Sequence, residues 1–109
     1  MVIERDEDLK IGEMYYVVNH VEDTFAIVRH IGILNNRQYP EFLGKNPHLN
    51  GFPIFKILYG KIKDEKDNFL NKSILCLSTD EDKRITARIN TIENRHELIT
   101  DLFNHFEVR

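Results

Sequence analysis

Gly12-Glu13-Met14-Tyr15-Tyr16-Val17-Val18-Asn19-His20-Val21-Glu22-Asp23-Thr24-Phe25-Ala26-Ile27-Val28-Arg29-His30-Ile31-Gly32-Ile33 is the stretch on which the fold turns. It holds two runs rich in aromatic and β-branched residues, Gly12 to His20 and Phe25 to Ile33. Such side chains suit a pleated, half-buried surface. Val21-Glu22-Asp23-Thr24 between them suits a turn, because Asp23 can bond nearby backbone. The reading is a hairpin with His20 opposite Phe25 and Tyr16 opposite Arg29. Alternate side chains of a strand point to opposite faces. One face then carries Met14, Tyr16, Val18, Phe25, Ile27 and Ile31, and the other Tyr15, Val17, Ala26 and Val28. Both are largely apolar, whereas a two-layer antiparallel sheet usually keeps one face polar. The pattern predicts a curved sheet or small barrel, or a helix on one side and a partner on the other.

Working outward, Phe52 to Lys63 reads as a third strand and Asp64-Glu65-Lys66-Asp67-Asn68 as a charged turn. Within Asn71 to Thr79 the apolar run Ile74-Leu75-Cys76-Leu77 fits a central strand. Residues 80–92 allow two readings, a helix capped by Thr79-Asp80-Glu81-Asp82 or a turn followed by a strand. The β-branched density of Ile85 to Ile92 favours strand for 84–92. From Glu93 onward Leu98, Ile99, Leu102, Phe103 and Phe106 recur at helical spacing. The expected fold is α+β: about five antiparallel strands forming a strongly curved sheet or small barrel, with a C-terminal helix over about 93–106. One domain spans 1–109, with residues 1–10 a loose acidic lead-in. The helix stripe is expected on the chain's own sheet; a homodimer seam through Leu98, Leu102 and Phe106 is the alternative.

Composition narrows the function. The 109 residues hold 15 Lys plus Arg and 18 Asp plus Glu, a formal charge of −3. This disfavours a dedicated polyanion binder, which needs a basic surface, without excluding a local basic patch. A single cysteine, Cys76, excludes an intrachain disulfide and a multi-thiolate zinc site. The start Met1-Val2-Ile3-Glu4-Arg5-Asp6-Glu7-Asp8 is acidic where a signal peptide is basic and then apolar. No stretch approaches the ~20 apolar residues of a membrane span. A cytoplasmic protein in a reducing compartment is the expectation. The chain has 13 Ile and 10 Asn but only 2 Ala, types that track AT-rich coding and hint at a low-GC bacterium or a phage.

No catalytic motif stands out. The histidines His20, His30, His48, His96 and His105 form no metal-binding spacing, and Cys76 sits in apolar sequence that would silence its thiol. No metal and no cofactor is expected. The acidic clusters at 4–8, 64–67 and 80–82 read as solvated turns. Asn35 to Phe52 differs from the rest. It holds Pro40, Pro47, Gly44 and Gly51, with Pro40 placed to open one helical turn through Gly44. Loops this long in a compact domain are often functional. Arg37, Tyr39, Phe42, Lys45, His48 and Phe52 interleave aromatic and basic groups, residue types that recur at contact hot spots. They are the candidate binding residues. The bland alternative is that Tyr39, Phe42 and Leu43 fold back over the scaffold, since an ordered loop must bury something.

The leading expectation is a small non-enzymatic binding or regulatory protein acting through protein–protein contact. A phage origin would make it an inhibitor of a host protein. One alternative is a nucleic-acid-binding regulator, with bases on Tyr39 and Phe42 and phosphates on Arg37 and Lys45. Another is a small enzyme or ligand-binding barrel using His20, Arg29 or His30 with Tyr15 or Tyr16.

Overall fold

The computed structural model of the chain describes residues 1–63, 69–79 and 87–92. Strands β1 (Met14–Asn19) and β2 (Thr24–Ile33) form the expected hairpin. Its register is Asn19 opposite Thr24 and Tyr16 opposite Ile27, two residues away from the sequence expectation. A slip of two preserves parity, so the expected faces survive. Buried Asn19 sets the register: its Oδ1 accepts from the backbone N–H of Val21 and of Glu22, each at 3.0 Å. Its Nδ2 donates to the Lys63 carbonyl. Asp23 closes the turn in the left-handed region, at φ 54°.

β3 (Pro53–Lys61) pairs antiparallel with β2. The ladder shifts at two places, leaving Leu58 and Ile31 as extra residues. Phe55 and Ile57 stay on one face, and the bulge at Leu58 sends Tyr59 to the other. β4 (Phe69–Asn71) and β5 (Ile74–Cys76) form a tight hairpin beyond β3. Asn71 Oδ1 accepts from Ser73 N at 2.9 Å in its turn. The sequence reading begins its strand segment at Asn71 and so misses β4 and the turn at Lys72-Ser73, which lacks Gly or Pro. β6 (Ala87–Thr91) pairs with β1.

The strand order is β4-β5-β3-β2-β1-β6, an open six-stranded antiparallel sheet. The expected barrel of about five strands is therefore corrected. β4 and β6 are not paired with each other, and two separate covers satisfy the two apolar faces without closure. On the first face Tyr15, Val17, Ala26, Val28, Phe55, Leu75 and Ile89 are buried with Ile3, Leu9, Ile62 and Leu77. On the second, Ile54 and Cys76 are buried with Leu34, Leu43 and Leu49 from the Asn35–Phe52 side. The only described helices are α1 (Pro40–Lys45) and the 3-10 turns Asp6–Asp8 and Pro47–Leu49. The expected helix over 93–106, with its seam of Leu98, Leu102 and Phe106, lies outside the described residues. So does the expected turn at 80–83.

The N-terminal ten residues also depart from the expected loose lead-in. Ile3 and Leu9 enter the first core. Val2 bridges Asn90, and Ile3 N donates to the Ile89 carbonyl at 2.7 Å, so the segment covers the outer edge of β6. Asp6 clasps the chain after β5. Its Oδ1 accepts from Thr79 N and Thr79 Oγ1, both at 2.8 Å, and its Oδ2 accepts from Ser78 Oγ. The acidity at the start thus supplies one structural anchor. No described helix is long and apolar enough to cross a membrane.

Candidate functional site

The sequence-derived binding residues fall into two groups. Arg37, Lys45 and His48 are exposed. Tyr39, Phe42 and Phe52 are half-buried against the second core of Leu34, Leu43, Leu49, Ile54 and Cys76. Pro40 opens α1 at its first position, where its missing N–H costs nothing. Asn35 Oδ1 accepts from Arg37 N at 3.0 Å and orders the entry to the segment. Leu34 N donates to the Phe52 carbonyl at 2.8 Å, and Gly51 N to the Leu34 carbonyl at 2.9 Å. Asn35–Phe52 is thus a fastened cover. Its rings spend part of their area on the chain's own core, and its cations face water.

The sheet beside this cover carries a surface that the sequence reading does not single out. Register assigns its residues to the second face: Met14 lies opposite Arg29, Tyr16 opposite Ile27, and Val18 opposite Phe25. Across β3 the same face continues with Lys56 opposite Arg29, Tyr59 opposite Ile27, and Lys61 opposite Phe25. Tyr59 is 66% exposed, Leu58 at the bulge 44%, and Met14 and Ile31 38% each. Tyr59 and Phe25 rings approach to 6.2 Å, tilted by 42°. A groove of about 470 Å³ opens there, lined by Asp23, Thr24, Phe25, Tyr59, Gly60 and Lys61. A tighter cavity of about 70 Å³ lies by the N-terminal segment and β6, with room for a few waters only.

What hides this surface from a sequence reading is the bulge. Strict alternation from Phe55 puts Tyr59 with Phe55 and Ile57 in the core. The extra residue Leu58 reverses that, and nothing in Ile57-Leu58-Tyr59 announces it.

Of the residues of the enzymatic alternative, register puts Tyr15 and His30 diagonally on the first face and Tyr16 and Arg29 diagonally on the second. His20 belongs to the turn. The Tyr15 hydroxyl accepts from Lys10 N at 2.9 Å. His30 is buried, with Nδ1 3.1 Å from the Ile54 carbonyl and its ring 5.1 Å from that of Phe55. Burial pushes the Cys76 thiol up to about 12, which leaves it protonated and unreactive near neutrality. Among the described residues no three His, Cys, Asp or Glu gather as a metal site. No family model, no curated protein and no solved structure matches this chain.

Proposed function

We propose that the protein is a non-enzymatic regulator that works by docking onto another protein, and that it docks through the second sheet face beside the Asn35–Phe52 cover. The observation that carries this reading is that Tyr59 and Met14 on the second face, and Leu58 and Ile31 at the two bulges of the β2–β3 ladder, are all large, apolar and more than a third exposed. Contiguous exposed apolar area rimmed by polar groups is costly unless a partner covers it. Tyr, Met and Arg are also the residue types enriched in interface cores. Arg37, Lys45 and His48 on the cover would form the polar rim. The reading extends to a reducing, cytoplasmic setting, which the single buried thiol suits, and to inhibition by occlusion if the source is a phage.

The test is affinity capture from lysate of the source organism with the immobilised full chain. Leu58→Ser with Tyr59→Ser is expected to abolish recovery of the specific partner while leaving the fold unchanged. Arg37→Ala with Lys45→Ala is expected to weaken it only severalfold, as rim charges do. Undiminished capture by the Leu58/Tyr59 variant would refute the proposed interface. Tyr39→Ala with Phe42→Ala is unsuited to this purpose, because both rings support the second core.

A further inference from the structure

Every Lys or Arg in the six strands, namely Arg29, Lys56, Lys61 and Arg88, sits on the second sheet face. No described strand contains an Asp or Glu. This happens in a chain whose formal charge is −3. Of the described carboxylates, Asp23 reaches this face at the end of the groove beside Tyr59 and Lys61, and the others lie at Glu4 to Asp8, Glu13, Glu22 and, on α1, Glu41. Lys56 and Lys61 are exposed and have no ion pair among the described residues. Arg29 is held by a 2.7 Å bond from Nη1 to the Gly12 carbonyl, which fixes its position and leaves its charge uncompensated by any described carboxylate.

We infer that this face receives a protein segment in which carboxylates alternate with apolar side chains, an inference that rests on the docking face proposed above. A neutral apolar partner would cover Tyr59 and Leu58 but would strip water from Lys56, Lys61 and Arg29 with no compensating charge. An acidic one supplies that charge and is steered to the face. A single-stranded nucleic acid would also satisfy the cations, but its bases need rings to stack on. Tyr59 is the one ring on this face more than half exposed among the described residues, and Met14, Ile31 and Leu58 are aliphatic.

The experiment uses the full chain and fluorescent probes followed by anisotropy: a synthetic peptide alternating Glu with Leu, its Gln-for-Glu counterpart, and an oligothymidylate. The acidic peptide is expected to bind at least about tenfold tighter than the Gln peptide and than the oligothymidylate. Lys56→Gln with Lys61→Gln should weaken it about fivefold to tenfold, and Leu58→Ser with Tyr59→Ser should abolish it. Equal binding of the Gln peptide, still dependent on Leu58 and Tyr59, would overturn the acidic partner while leaving the docking face standing. Acidic-peptide binding indifferent to Leu58→Ser with Tyr59→Ser would overturn the face itself. Tighter binding of the oligothymidylate, with a steep salt dependence, or no binding of the acidic peptide, would also overturn the inference.

Discussion

At the residue scale a few side chains and one glycine hold the frame. Gly60 has φ 78°, and a Cβ there would come within 2.5 Å of the Phe25 carbonyl oxygen. That oxygen is backbone and cannot swing aside. Gly60→Ala should therefore cost about 1–3 kcal/mol in denaturant unfolding and disturb the Phe25–Tyr59 groove. Asp6 joins the first 3-10 turn to Ser78 and Thr79, and both hydroxyl residues are buried. Asp6→Ala leaves their donors without that acceptor and should cost about 1–3 kcal/mol. Cys76 bears on alkaline stability. The unfolded thiol ionises near 9.0 and the folded one near 12. Below pH 9 both states are protonated and the contribution is intact. Above it the unfolded state loses its proton first, so stability falls as pH rises toward about 12. The stability difference between wild type and Cys76→Ala should narrow over that range in urea titrations. A pH-independent gap would show that the thiol is not buried as described.

At the element scale the strands were easier to read than their connections. β1 and β2 follow from residue type and alternation, and a register error of two residues left the faces correct. β3 was legible in extent but not in orientation past Ile57, because a bulge has no signature in aliphatic sequence. The Lys72–Ser73 turn was missed for the same kind of reason: Asn71 makes it through a side-chain bond that many Asn residues do not form. In Asn35–Phe52 Pro40 marked α1, the 3-10 turn at Pro47 was not read, and the direction of the rings depended on whether the sheet face beneath was otherwise covered. It is a structural cover first. Leu49 is almost fully buried beneath it. Leu49→Ala should cost about 2–5 kcal/mol, and proteolysis should then begin within 35–52. Unchanged stability would mean that the cover does not contribute to the fold.

At the scale of the whole molecule, two apolar faces on one hairpin admitted two solutions: closing the sheet or covering both sides. The chain covers each side in part, with its N-terminal ten residues packed on the first and Asn35–Phe52 packed over Ile54 and Cys76 on the second. Closure was the wrong expectation, and the start read as a loose acidic lead-in supplies part of the cover instead, through Ile3 and Leu9. The cation-bearing face was illegible for a related reason. Arg29, Lys56, Lys61 and Arg88 are scattered in sequence, and only strand order and register collect them. Candidate residues chosen by local density, such as Arg37 and Lys45, favour loops, whereas a sheet gathers its surface from distant segments.

The most direct measurement is site-specific photocrosslinking in cells of the source organism, with the photoreactive residue placed at Tyr59, at Arg37 or at Lys72. A discrete protein adduct from position 59, weaker from 37 and missing from 72, is the predicted result. An adduct from 37 or 72 with none from 59 would contradict the assignment of the sheet face as the surface through which this protein acts.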